Sequence, residues 1–279
     1  MISIVVVMYN MQREIERTLY SLSKLYQKDV KNNYEVMVID NGSATKLPDE
    51  FVSNFGNNFC YHYINNAPLS PAHAVNIGVS KAKGDIVGIL IDGARIITPG
   101  IIAKVEQAFI KWDNPVVAVL GYHLGSDLQS KSVLNGYDQQ HEDELLESIK
   151  WKNNPYKLFD ISVPAGSNPN GPDGVIAESN CIFLRKSIFQ KMGGMNERFS
   201  LPGGGLVNLD FFKRLIEDYN TQLVLLKHEG SFHQIHGGIM SNARGEEESI
   251  NNFIKYSKEY KKIKKIDYTI PIIKNKLIF

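Results

Sequence analysis

The chain has little cysteine. Two in 279 residues, Cys60 and Cys181, cannot build a disulfide framework and suit a reducing compartment. It has almost no net charge, with 31 basic against 30 acidic side chains and a formal +1. No whole-chain basic field exists, so no nucleic-acid partner is expected. It has no apolar run of transmembrane length. The apolar start "MISIVVVMYN" is too short to span a bilayer and carries neither a basic n-region nor a cleavage site. It reads as a first strand, and the expected location is cytoplasmic. The Gly-x-Gly-x-x-Gly fingerprint and the P-loop are both missing after that strand. No organic cofactor is expected.

What is present is an alternation of strand and helix. Apolar runs at 2–8, 34–39, 59–64, 86–91 and 116–120 read as strands. Helical spacing falls at 13–26 (Ile15, Leu19, Leu22, Leu25), 72–82 and 101–109. Such alternation implies an α/β fold with a mostly parallel sheet and right-handed crossovers. A further strand is expected at 181–184. Residues 121–174 are less regular, and the Asn-, Pro- and Gly-rich part from 153 to 174 reads as a binding loop or lid. "HEDELLESIKW" reads as an acidic helix with a solvated face.

The stretch "GDIVGILIDGARIITP" organises the rest. Its buried strand stops at Asp92, followed by Gly93, Ala94 and Arg95. The strand at 34–39 likewise ends at Asp40, and the first strand, whose last residue is Met8, ends at Tyr9 and Asn10. In open α/β sheets ligands bind at the carboxyl edge of the strands. Two carboxylates and an aromatic ring on one edge suit a nucleotide. Each is equally a turn residue when taken singly, since Asp-Gly is also a turn signal.

Several motifs occur in the order found in the family-2 glycosyltransferases of the GT-A fold. "VVVMYN" resembles the family's first strand and donor loop. "VMVIDNGS" resembles its second strand, with Asp40 at the nucleoside position. "AHAVNIGVSKAKGDIVGILIDGA" resembles its Asn-x-Gly helix, with Asn76, and the strand leading to Asp-x-Asp. "KMGGMNERF" resembles its acceptor-side signature. The resemblance covers residues 1 to about 240. It implies a GT-A (Rossmann-like) domain over 1–245, with a nucleotide-binding half at 1–120 and an acceptor-side half at 121–245. A basic extension follows at 246–279.

The resemblance further implies an inverting transfer from a nucleotide diphosphate sugar, a UDP-sugar foremost, to a glycan or lipid-linked glycan in surface polysaccharide synthesis. Met8, Tyr9, Asn10, Asp40, Asn76, Asp92, Gly93 and Arg95 are the donor-site candidates. A divalent cation, Mn2+ or Mg2+, normally needs the second Asp of Asp-x-Asp, where this chain has Ala94. The metal site therefore looks incomplete. Asp92, His233 and His236 remain as metal or phosphate ligands, and Arg95 and His73 as cations that could stand in. The family's base position falls at Val207 and Asn208. Asp210, or Glu178 ahead of the strand at 181, is then the candidate base. Two other classes stay open: a silent GT-A domain that binds glycan or nucleotide, and a nucleotidyltransferase. The tail 253–279 holds eight lysines against two acids. It suits either a packed helix with a solvated lysine face or peripheral contact with an anionic membrane surface.

Overall fold

The computed structural model describes residues 1–48, 50–217, 221–238 and 246–279. The expected domain boundary at 245 lies outside the described residues. The ten strands form one sheet. β1 (Ile2–Met8), β2 (Tyr34–Asp40), β3 (Phe59–Tyr63) and β4 (Ile86–Leu90) make the first half. Helices α1 (Gln12–Leu22) and α2 (Ala72–Lys81) connect them. β5 (Arg95–Ile97), α3 (Ile101–Lys111), β6 (Pro115–Leu124), α4 (Gln129–Leu134), α5 (Gln139–Ser148) and β7 (Ser162–Pro164) follow. β8 (Cys181–Arg185), α6 (Lys186–Lys191), α7 (Val207–Glu217), β9 (Gln222–His233), α8 (Glu246–Lys264) and β10 (Lys276–Ile278) complete the chain. The spatial order is β10-β9-β6-β8-β4-β1-β2-β3, with β5 on β9 and β7 on β6.

Most pairs are parallel; β8 runs against both β4 and β6. The α/β sheet flanked by helices is the expected fold class. Period 2 explains how β1 is buried on both faces. Val5 and Val7 pack with α2 and α7, whereas Ile4, Val6 and Met8 pack with α1 and α3. Gly88 is required on β4, because a Cβ there would lie 2.4 Å from the Phe183 ring. Tyr256 and Tyr260 of α8 enter the core, and β10 pairs in parallel with β9.

Two local expectations differ. The first helix ends at Leu22 rather than Tyr26, because Ser23 is extended (ψ 155). Leu25 is consequently 74% exposed. The acidic helix α5 is not a solvated face throughout. Glu142 is fully buried and meets Arg13 Nη1 at 3.3 Å, Arg17 Nη1 at 3.5 Å and the Ile235 backbone N–H at 2.6 Å. Its neighbour Asp143 pairs with the same two arginines.

Candidate active site

The register puts the strand ends together. Met8 pairs with Asp40, and Val6 pairs with Leu90, two residues before Asp92. Gly93 sits so close to β1 that a Cβ would meet Val7 O at 3.0 Å and Met8 Cβ at 3.1 Å. The turn after Asp92 is tied down locally. Ala94 N–H donates to Asp92 Oδ1 (2.9 Å), and Thr18 Oγ1 donates to Gly93 O (2.6 Å). β5 then runs antiparallel to the end of β9, pairing Arg95 with His233. This hairpin-like return brings residues 140 positions apart in sequence into one cluster.

Within the cluster, His233 Nε2 lies 2.9 Å from Asp92 Oδ2 and His236 Nε2 lies 3.8 Å from Asp92 Oδ1. The two imidazole Nε2 atoms are 3.0 Å apart. Arg95 Nη2 is 3.4 Å from Asp92 Oδ2. Burial opposes the charge of Asp92, but His233, His236 and Arg95 together hold its carboxyl well below the usual range. Burial pushes His233 down to about 4 against the pull of Asp92, so the imidazole is neutral near pH 7. Its Nδ1 meets Gln129 Oε1 at 2.5 Å. A neutral ring that donates from Nδ1 keeps its lone pair on Nε2. Asp92 Oδ2 and two imidazole nitrogens thus face one point, with ligand atoms of the three residues within 4.8 Å of one another.

That donor set fits a divalent cation: one carboxylate, two imidazoles, and an outer hydrogen bond from His233 Nδ1–H to Gln129 Oε1 that orients one ring. Ala94 offers no ligand, and two histidines lie beside Asp92. Ala94 itself is fully buried, and its carbonyl accepts from Gln234 N–H (2.8 Å).

Glu178 adjoins this cluster. Its Oε2 accepts from Asn208 Nδ2 at 2.7 Å, and Asn208 also reaches Asn180 Oδ1 at 3.0 Å. Burial raises the Glu178 carboxyl above its ordinary value, while Asn208 and Arg95 pull the other way. The side chain keeps partial exposure. A partly exposed carboxyl of raised basicity is suited to accepting a proton.

The profile of the glycosyltransferase-like family 2 matches residues 3–237. The chain belongs to this family. No curated protein matches the sequence at a significant level. Among solved structures, S. aureus TarS 1–349 is 14% identical, with 93% of this chain and 65% of that chain covered at a TM-score of 0.56. GalNAc-T7 with UDP, GalNAc and Mn2+ is 15% identical, with 92% and 47% covered at 0.56. TarS 1–349 in complex with UDP-GlcNAc is 13% identical, with 93% and 66% covered at 0.51. At these identities the likeness shows the fold, which is that of GT-A glycosyltransferases. The chain spans 35% to 66% of the length of the TarS chains that it resembles.

The other donor-site candidates of this glycosyltransferase-family chain are scattered. Tyr9 is half-exposed at the edge, beside Asn10. Asn10 takes a positive φ of 52 and braces the next loop: its N–H donates to Ser43 Oγ and its Oδ1 accepts from Ala44 N–H. Four expectations need correction. Met8 is fully buried between β1 and α1, so its side chain cannot touch a ligand. Asp40 is fully buried and spent on the turn, accepting from Ser43 N–H (2.8 Å) and Tyr61 O–H (2.7 Å). Asn76 faces the acceptor-side signature: Nδ2 donates to Met195 O and Glu197 Oε1, and Oδ1 accepts from Met195 N–H. His73 pairs with the same Glu197 at 3.0 Å and does not join Asp92.

Asp210 is the largest correction. It is fully buried inside α7, with Arg214 Nε 2.8 Å from one oxygen and Lys264 Nζ 2.9 Å from the other. Arg214 in turn donates to Met192 O and Gly194 O. A carboxylate clamped by two cations joins α7 to α8 and is not a free base. Gln129 and Glu142 were not anticipated. They reach the site across 104 and 93 residues of sequence, and nothing local in α4 or α5 marks them.

Proposed function

We propose that this chain is an inverting glycosyltransferase that uses a nucleotide diphosphate sugar, with a UDP-sugar as the first donor to test and a glycan hydroxyl as acceptor. The observation that carries the reading is the convergence of Asp92, His233 and His236 at the carboxyl edge, with Glu178 within the electrostatic influence of Arg95. Structural neighbours solved with UDP-GlcNAc, and with UDP, GalNAc and Mn2+, support the donor class. Asp92, His233 and His236 would hold a divalent cation. Such an ion neutralises the charge that develops on a leaving diphosphate. Arg95 keeps Asp92 ionised and adds positive charge on the same side. Glu178 takes the proton of the acceptor hydroxyl as its oxygen attacks the anomeric carbon. Asn208 orients Glu178 by donating to it. Tyr9 offers a ring for the nucleoside base.

Imidazole ligands favour Mn2+ over Mg2+. The test is nucleoside diphosphate release from UDP-, GDP-, CDP- and dTDP-sugars, with Mn2+, Mg2+ or EDTA. Release from a UDP-sugar, strongest with Mn2+, supports the reading. Full activity in EDTA would remove the cation, and no release or thermal shift with any donor would remove the transferase. Pyrophosphate release would indicate a nucleotidyltransferase.

A further inference from the structure

Helix α8 presents two unlike faces. Tyr256, Tyr260 and Ile263 point to the core. Opposite them, at 100° per residue, runs the arc Ile250, Ile254, Lys258 and Lys261, flanked by Lys255 and Lys262, with Lys265 just past the helix end at a positive φ of 65. All seven side chains are exposed. The N-terminal end carries exposed Glu247 and Glu248, so charge is polarised along the helix towards its basic end. The chain leaving that end exposes three more large apolar side chains: Ile266, Ile270 (52%) and Ile272 (70%). Between them and Lys274 the only acid is Asp267, which pairs with Lys261 at 3.0 Å.

A pocket of about 270 Å³ opens beside the basic end, lined by Arg198, Ser200, Glu259, Lys262, Ile263 and Lys265. Its one carboxylate accepts through Glu259 Oε1 from the Ser200 and Leu201 N–H groups, while Oε2 is buried without a hydrogen-bond partner among the described residues. Three cations therefore face a concave space with room for a phosphate.

We propose that this end of α8 and the following segment to Lys274 dock on an anionic phospholipid surface. The lysines meet the negative headgroup layer, a headgroup phosphate enters the pocket of Arg198, Lys262 and Lys265, and Ile266, Ile270 and Ile272 enter the headgroup–acyl boundary. Charge complementarity and the apolar groups decide the occupant. A purely solvated lysine face has no use for three exposed isoleucines beside it, and an interfacial segment needs both kinds of group. The inference is independent of the transferase reading, because it uses none of the active-site residues.

The test is co-sedimentation of the full chain with vesicles of phosphatidylcholine alone or mixed with phosphatidylglycerol, at low and high salt. Binding is expected only to the anionic vesicles and should weaken with salt. Lys258→Gln/Lys262→Gln/Lys265→Gln should reduce it about a hundredfold, at about fivefold for each of the three lysines. Ile270→Ser/Ile272→Ser should reduce it at unchanged charge. Thermal melts confirm that each variant folds. Failure of the wild type to sediment with anionic vesicles, equal binding to neutral ones, or full binding by the folded triple variant would overturn the proposal.

Discussion

Replacing Glu142 by Gln tests whether a buried carboxyl, rather than a surface one, holds the histidine-bearing segment in place. Burial raises Glu142 from an ordinary 4.5 to about 7, despite Arg13, Arg17 and the Ile235 N–H, which all favour the anion. The folded state therefore binds this proton more tightly than the unfolded chain does. Its stabilising contribution is complete below about pH 4.5 and is lost as pH rises through about 7. At about 1.4 kcal/mol per pH unit, the gap corresponds to about 3 kcal/mol. Gln carries no charge at any pH, but it offers one oxygen where Glu142 uses two. The variant thus has a constant cost, and the readout is the slope. Urea melts of both proteins from about pH 5 to about pH 8 should show wild-type stability falling relative to the variant by about 2 to 3 kcal/mol. A flat difference would mean that Arg13 and Arg17 keep Glu142 ionised throughout. Desolvation would then not outweigh the two arginines at this site.

Glu178→Gln should lower turnover by about a hundredfold or more while leaving nucleotide affinity nearly intact. Because burial raises Glu178, the acid limb of wild-type kcat/KM should lie above the ordinary carboxylate range and vanish in the variant; an unchanged profile would remove it as the base. Gln129→Leu should weaken Mn2+ binding by about ten- to a hundredfold by freeing the His233 ring, with the fold retained; unaltered affinity in calorimetry would show that the contact orients nothing. Asp210→Asn should cost about 3 to 5 kcal/mol of stability, since it leaves Arg214 and Lys264 facing a neutral group. If the folded variant instead kept its melting point and lost turnover, Asp210 would return as the base. Asp40→Ala should likewise lower the melting temperature, through loss of the Ser43 and Tyr61 bonds, rather than nucleotide affinity alone.

The sequence alone carried the alternating elements, the class of sheet and the family. Those signals are local: apolar runs such as 2–8 can only be buried strands, and the motifs that resemble the family lie each within one strand-turn-helix unit. It also singled out Asp92, His233 and His236, because a charged residue at a strand end and paired histidines are conspicuous in one dimension. It could not rank the carboxylates. Asp210 and Glu178 look alike in the chain: Arg214 stands one turn on from Asp210 in α7, but only the packing of α8 onto α7 brings Lys264 to its other oxygen, and only the fold puts Glu178 under the influence of Arg95. Asp40 and Met8 sit at the expected edge, but whether a strand-end side chain turns outward or inward depends on what surrounds it, for Asp40 Ser43 of the next loop and Tyr61 of β3. The burial of Glu142, within a helix whose sequence reads as solvated, depends on Arg13, Arg17 and Ile235 from elsewhere in the chain. The cost of desolvation and the charges that oppose it come from residues about a hundred or more positions away, and only the folded chain brings them together.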